Sequence, residues 1–421
     1  MGTVSAETQE MLELVRFLEG GVAARAVPAA QASVVQDGRE VHASANGVDP
    51  HGRPVTTGSL FDVASVTKAV ATTGIAATLI AHGELSLQTR IASVLPAFAG
   101  AGKDTVTVRE LLAHASGLPA WEPLFAAVVR DPEGCAIYPP SRPAADAGAG
   151  DYRHAGAGTR ESAFIRARRI VVDQVLAAPL TVARGSRLYS DLGFIALGEL
   201  LEAAGGERLH RLARERVFAP LGLSRARFFD LAAGDVSEGH VVATGSTRPR
   251  EPAPGQEHLY RVHDQPPRPD PGEVDDDNAY AMGGIAGHAG LFGTAQDVAR
   301  FGWQMLEELD GAGRLGPRAA ETLSLLVRAD RDTRGSPRGL GFDIPSPEGS
   351  MAGDLLGRGG PLGGFGHNGF TGCSLWVDRD RRLSVALLTN RVYPTRRNVE
   401  PARAFRRGFH DLVIRSLPGP P

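Results

Sequence analysis

The sequence predicts an α+β fold: an antiparallel sheet flanked by helices, with an inserted, mainly helical domain. Three observations predict it. Residues 29–36 and 39–47 read as strands around the turn Asp37-Gly38. Residues 373–377 and 383–389 repeat that pattern near the other end, around Asp378-Arg379-Asp380-Arg381. Most of the chain between them carries helical periodicity. The sheet domain is therefore expected to be discontinuous, 1–68 with 295–421, and the inserted helical domain with its long loops to span 69–294.

Taken in order, residues 6–24 place Met11, Leu12, Leu14, Val15, Phe17 and Leu18 at helical spacing, and Gly20-Gly21 loosens the end. The first hairpin follows. Residues 60–64 are a short apolar run entering a helix that begins near Ser65. Thr107 is placed to cap a helix carrying Val108, Leu111, Leu112 and Ala115, which Ser116-Gly117-Leu118-Pro119 stops. Residues 131–160, rich in Pro, Gly, Ala and Asp, predict a long loop or lid. Residues 192–204 and 207–217 read as helices. A second irregular stretch, 245–277, has four prolines between Gln265 and Pro271 and then Asp275-Asp276-Asp277. Helix returns at 294–309 with Thr294 as cap and around 317–329, and a helix over 401–417 closes the chain.

At 421 residues and 42% hydrophobic content the chain can bury a sizeable core. Its 45 basic and 48 acidic residues leave a net charge of −3, so no basic field is present to hold nucleic acid or an anionic membrane. No apolar run approaches the roughly 18 residues of a membrane span. Glu7, Glu10 and Glu13 stand where a leader would need a basic start and an apolar run, which predicts a cytoplasmic protein; a start truncated of its leader would make it periplasmic. Cys135 and Cys373 make no disulfide framework, and neither has a Cys or His at zinc-ligand spacing, so no metal or other cofactor is expected. The oligomeric state is left open.

Of the 45 Lys and Arg residues, only Lys68 and Lys103 are lysine. Arginine keeps its proton in proteins whereas a buried lysine can lose one, so a lysine that serves as a base cannot be exchanged for arginine. Lys103, in Gly100-Ala101-Gly102-Lys103-Asp104, reads as ordinary surface. Lys68 lies three residues after Ser65 at the start of a helix, which puts amine and hydroxyl on one face. The helix N-terminus there favours a developing oxyanion. To act as a neutral base near pH 7, Lys68 must drop roughly three units from ~10.4, about 4 kcal/mol, by burial. Alone, Ser-x-x-Lys also reads as a helix cap and a surface lysine.

Other signatures narrow the chemistry. No Gly-x-Ser-x-Gly and no His-Glu-x-x-His occurs. Gly364-Phe365-Gly366-His367-Asn368-Gly369 matches Gly-x-Gly-x-x-Gly, but strands follow it, so its glycines are expected instead to let a strand edge approach a substrate. Tyr189-Ser190-Asp191 precedes an apolar helix; Tyr189 is either a proton-exchanging partner of the serine or a hydrogen-bonded core tyrosine. His367, before the C-terminal hairpin, is either functional or a surface residue.

Taken together, Ser65-Val66-Thr67-Lys68, Tyr189-Ser190-Asp191 and His367-Asn368-Gly369 resemble, in order and spacing, the three active-site elements of the serine β-lactamase and penicillin-binding protein superfamily. The likeness is to class C enzymes, D-alanyl-D-alanine carboxypeptidases and esterases, and covers roughly residues 25–415. Residues 110–119 look like that family's helix after the nucleophile. Residues 276–280, 283–292, 369–372 and 389–392 resemble a branch associated with peptidoglycan turnover. The resemblance implies a β-lactamase/transpeptidase-like fold with the site in the groove between sheet and insertion. It implies Ser65 as the acylated nucleophile, Lys68 as its base, Tyr189 sharing the proton, and Asp191 holding Lys68. His367 would orient the tyrosine or bind substrate beside Asn368 and Gly369, and the oxyanion would lie between the N–H groups of Ser65 and Phe370. His288, with residues 283–290 and the loop 131–160, would form the rim that selects substrate. The function implied is an amidase or peptidase acting on peptidoglycan-derived fragments; a broad small-ester hydrolase and a non-catalytic acyl-peptide binder are the alternatives. Asp191 stands where many members have Asn, and His367 where many have Lys. Both departures resemble the esterase-like members and weaken the expectation of β-lactamase activity, because the usual cation for the β-lactam carboxylate is missing.

Overall fold

Asp37 and Gly38 both take positive φ (46° and 79°), the geometry that closes a two-residue hairpin without splaying its strands. They join β1 (Ala29–Gln36) to β2 (Arg39–Gly47), paired antiparallel with a register shift at Val34/Val35. This is a computed structural model describing residues 6–138, 157–234, 239–244, 271–346, 350–358 and 360–417, with backbone alone at 6–11 and 157–159. The further strands are β3 (Phe61–Asp62), β4 (Arg227–Phe228), β5 (Leu291–Gly293), β6 (Gly364–Asn368), β7 (Ser374–Asp378) and β8 (Leu383–Thr389).

The main sheet runs β2-β1-β8-β7-β6, antiparallel throughout. Its centre joins the two ends of the chain, Ala30 opposite Thr389 through Gln36 opposite Leu383. β3, β5 and β4 form a second, smaller sheet. The helices are α1 (Ala6–Ala23), a π-helical turn (Lys68–Thr73) running into α2 (Gly74–His82), α3 (Ile91–Val94), α4 (Val108–Leu112), α5 (Phe125–Arg130), α6 (Ala157–Ala177), α7 (Asp191–Gly205), α8 (Leu209–Ala213), α9 (Ala219–Leu221), α10 (Asp277–Ala281), α11 (Ala295–Leu309), α12 (Ala319–Leu326) and α13 (Glu400–Ser416).

Strand alternation divides the core. Leu383, Val385 and Leu387 of β8 join Leu14, Leu18, Trp376 and Phe409 under α1 and α13. Ala386 and Leu388 face the other way, into the larger core beneath α11 and the helical region. Gly302 lets α11 lie flush on the sheet: a Cβ there would stand 2.2 Å from Ser384 Oγ. The π-helical turn and all of α2 but Ile80 and His82 are buried, as a helix apolar on every side must be. That helix carries Lys68 into the interior.

Several details differ from the sequence reading. α6 begins at Ala157, inside the tract read as loop, and Asp276 caps α10 by accepting from Ala279 N, so the acidic run there starts a helix rather than continuing an irregular stretch. Residues 139–156 and 245–270 lie outside the described residues. β6 is an edge strand, but its glycines serve its own sheet: a Cβ at Gly366 would lie 2.1 Å from Leu375 O and 2.6 Å from the Trp376 ring. Lys103 is not a surface residue. It is 1% exposed, its Nζ donates to Leu176 O and Ala178 O at the end of α6, and it lies 4.8 Å from the Phe98 ring centroid. Among the described residues no helix is long and apolar enough to cross a membrane.

Candidate active site

β3 delivers the chain to Ser65 through a constrained turn. The buried Asp62 carboxylate accepts from Ala64 N (2.8 Å) and Asp275 N (2.6 Å), and holds Ala64 at a φ of 47°, a conformation that a residue with a Cβ rarely adopts. Lys68 N then donates to Ser65 O (3.0 Å), which opens the helical turn. Three residues apart on that turn, Lys68 Nζ donates to Ser65 Oγ (3.0 Å) and to His288 O (3.1 Å), and pairs with Asp191 Oδ1 (2.7 Å). Lys68 is fully buried.

The middle motif is fastened to residues 114–120. Leu188 N donates to His114 O, Ser190 N to His114 Nδ1 (3.0 Å), Ser190 Oγ to Pro119 O (2.6 Å), and Asp191 N to Ala120 O (2.8 Å). Ser190 also caps α7, accepting from Gly193 N. Tyr189 is thereby held with its hydroxyl interacting with Lys68 and Ser65. Its ring packs tilted against His114 (4.4 Å between centroids, 31° between planes) and carries the Arg338 guanidinium 5.1 Å from its centroid. Sequence reasoning missed these two supports. His114 lies in a segment noted only for its likeness to other proteins, and Arg338 is one arginine among many. Burial, reinforced by the charges of Arg338 and Lys68, holds His114 well below the usual histidine range, so it is neutral and accepts through Nδ1.

The third motif closes the site from β6. Asn368 is clamped, donating to Asp343 Oδ2 (3.3 Å) and accepting from Trp376 Nε1 (3.2 Å). Gly369 permits a close approach to the segment that leads to Ser65: a Cβ would lie 2.4 Å from Val63 O. Thr371 Oγ1 donates to Asp62 O (2.9 Å) and bolts the turn in place. Among the described residues the backbone N–H groups of Ser65 and Phe370 donate to no protein acceptor. His367 is buried, its Nδ1 bonded to Asn368 O (2.9 Å), and burial pushes it down to about 4. It is neutral at pH 7 and supplies no cation.

The electrostatics overturn one expectation. Burial favours neutral Lys68, yet the Asp191 carboxylate outweighs it, with a hydrogen bond to Tyr189 adding to the effect, and holds the amine above its ordinary value. The resting lysine is an ammonium ion rather than a neutral base. Burial raises Tyr189 against the pull of Lys68, so the phenol keeps its proton. His288 also departs from its expected place at the rim. Residues 283–290 are buried throughout, the His288 ring bonds Asp276 Oδ1 (2.9 Å), and only its backbone carbonyl reaches Lys68. The described part of the loop, 131–138, packs against α6 and α10: Asp131 pairs with Arg166, and Tyr280 Oη donates to Ile137 O.

A cleft of about 360 Å³ runs from Ser65 and Tyr189 past His367 and Phe370 to α13. Among the described residues no three His, Cys, Asp or Glu side chains are grouped to hold a metal.

Comparison with known proteins places this arrangement. The family model described as Beta-lactamase matches residues 14–407. A protein of Escherichia coli (strain K12) named "Putative D-alanyl-D-alanine carboxypeptidase" is 29% identical over 349 residues, covering 80% of this chain and 70% of its own length. The N-acetylmuramyl-L-alanine amidase of Bacillus subtilis (strain 168) is 26% identical over 415 residues, 93% of this chain and 83% of the relative. Among solved structures, a penicillin-binding protein homologue from Caulobacter crescentus superposes with a TM-score of 0.63 at 19% identity, over 99% of each chain. Matched by the family model along nearly its whole described length, the chain belongs to the Beta-lactamase family.

Proposed function

We propose that the protein is a serine hydrolase that forms an acyl-enzyme on Ser65 and cleaves amide or peptide bonds in peptidoglycan-derived fragments. One observation carries the reading: Ser65 Oγ, Lys68 Nζ and the Asp191 carboxylate meet in a chain of 3.0 and 2.7 Å contacts at the floor of an open cleft. The names of the carboxypeptidase-like and amidase relatives support the substrate class.

Catalysis draws on the minority of Lys68 that has lost its proton. That amine takes the Ser65 hydroxyl proton as Oγ attacks the carbonyl carbon. The oxyanion develops toward the free N–H groups of Ser65 and Phe370. Lys68 then returns the proton through the Tyr189 hydroxyl to the leaving nitrogen, the C–N bond breaks, and water releases the acyl group by the reverse path. Asp191 opposes the first step by favouring the ammonium form. The test is incubation with N-acetylmuramyl peptides, products read by mass spectrometry. The reading expects cleavage that Ser65→Ala abolishes. Turnover of short p-nitrophenyl esters with every muropeptide left intact would make the protein a small-ester hydrolase instead.

A further inference from the structure

The ring of His288 faces away from the cleft, but its backbone carbonyl is one of the groups that surround the Lys68 amine. Lys68 Nζ lies 3.0 Å from Ser65 Oγ, 3.1 Å from His288 O and 2.7 Å from Asp191 Oδ1, with the Tyr189 hydroxyl alongside. These neighbours are of two kinds. A hydroxyl donates or accepts, whereas a carbonyl and a carboxylate only accept. The neutral amine that takes the Ser65 proton has two hydrogens and one lone pair. His288 O and the Asp191 carboxylate engage both hydrogens, which leaves the lone pair turned toward the hydroxyls of Ser65 and Tyr189.

The segment that supplies this carbonyl is tied to the turn that carries Lys68. Thr72 Oγ1 donates to Gly287 O (2.6 Å), and Leu291 N donates to Thr67 Oγ1 (3.1 Å). At residue 288 itself the tie comes from elsewhere. The His288 ring is buried, and its Nε2 donates to Asp276 Oδ1 (2.9 Å). Asp276 is fixed in turn, because the same oxygen accepts from Ala279 N (2.7 Å). Burial opposes ionisation of Asp276, but its interactions with His288 and the Ala279 N–H hold the carboxyl well below its usual range, so it remains an acceptor. His288 Nδ1 has no partner among the described residues, and the bond to Asp276 is the polar hold on the ring.

We propose that Asp276 and His288 are positioning residues for the Lys68 base: the bond between their side chains holds the His288 carbonyl where, together with Asp191, it aims the lone pair of neutral Lys68 at Ser65. The inference rests on the acyl-enzyme reading above. Neither residue lines the cleft, so the pair acts on the rate of bond formation at Ser65 and not on ligand binding. A carbonyl that drifts by about 1 Å lets the amine turn away, a misplacement worth about 10²-fold in rate.

The test uses the full chain and two variant pairs. His288→Leu removes the donor, and His288→Gln restores one that reaches Asp276. Asp276→Ser keeps a helix-capping oxygen for Ala279 N but is too short to reach His288, and Asp276→Asn keeps both bonds. Reaction of Ser65 with a fluorophosphonate is resolved into a maximal rate and a half-saturating concentration. His288→Leu and Asp276→Ser should lower the maximal rate by about 30-fold or more, with half-saturation changed less than about threefold, and Gln and Asn should recover most of the loss. The second readout is independent of the reaction. Lys68 and Lys103 are the two lysines of the chain, so lysine-selective labelling gives two ammonium signals in NMR spectra. Hydrogen exchange at Lys68 should quicken about tenfold in Asp276→Ser, while Lys103 is unmoved. Unchanged exchange at Lys68, a loss confined to half-saturation, or equal losses in Leu and Gln overturns the proposal. Quickened exchange at Lys68 in a protein whose wild type never reacts with the fluorophosphonate would defeat the acyl-enzyme reading and leave the carbonyl's hold on Lys68 standing.

Discussion

Lys68 and Lys103, the two lysines of the chain, are both buried against an aromatic ring, yet their amines shift in opposite directions. Lys103 Nζ meets two backbone carbonyls at the end of α6, and burial lowers its affinity for a proton. Lys68 is buried as fully but faces Asp191 at 2.7 Å, and its proton is held more tightly than in water. The difference teaches that burial alone does not make a catalytic base. A single carboxylate decides the charge of the amine beside Ser65, and this chain carries the ionisable residue where an uncharged amide would have left burial in control.

The largest expected effect breaks the comparison at Lys68. Lys68→Arg keeps the charge and removes the base, so acylation by the folded protein should fall by about 10³-fold or more; retained turnover at neutral pH would end the role assigned to Lys68. Next comes its counterpart. Lys103→Met strips two buried carbonyls of their donor and should cost about 2–4 kcal/mol of stability in denaturant melts, while Ser65 still acylates. A third change exchanges the two environments. Asp191→Asn removes the carboxylate that favours the ammonium form, so the pH–rate profile for acylation should move at least one unit toward acid and the rate at pH 7 should rise about tenfold. A profile that stays in place would mean that Asp191 does not set the charge of Lys68.

A separate effect, on stability against pH rather than on rate, concerns burial without a carboxylate partner, now at histidine. His410, bonded through Nε2 to Ser374 Oγ (2.9 Å), is lowered by burial to about 3, and His367 to about 4. Both are neutral in the fold and would take a proton when unfolded below about pH 6.5. Their contribution to stability is therefore present above that pH and lost as pH falls toward 4, at up to about 1.4 kcal/mol per unit for each. Melting temperatures from pH 8 to 4 should hold level and then decline below about 6.5; a decline that begins only below pH 4 would show these histidines titrating normally.

What could be read from the chain follows the range of the interactions. Ser65 and Lys68 are three residues apart, and helix geometry alone brings their side chains within reach. The hairpin over 29–47 is equally local, because Asp37-Gly38 accepts the positive φ that the turn requires. The sign of the Lys68 shift was not legible, since it depends on how α7 docks its first residue, Asp191, against the π-helical turn. Nor was the burial of Lys103, which requires α6 to end on a loop far away in sequence. His288 was misplaced for the same reason: Asp276 draws its ring away from the cleft. The glycines at 364–369 pointed correctly to close contact, but Gly366 meets β7 and Gly369 meets Val63 rather than a ligand. Arg391, Arg403 and Arg406 line the same cleft as Ser65 only because β8 and α13 return to the sheet, and in a chain so rich in arginine no local signal marked them.

The central claim, that Ser65 is acylated with Lys68 as its base, is tested most directly by intact mass. Wild type, Ser65→Ala and Lys68→Arg are each incubated with a fluorophosphonate, a penicillin and a short activated ester. The account predicts a single added acyl or phosphonyl group on wild type with at least one reagent, none on Ser65→Ala, and formation slowed about 10³-fold on Lys68→Arg. A mass gain of equal size and rate on Ser65→Ala, or no adduct on wild type with any reagent, would contradict it.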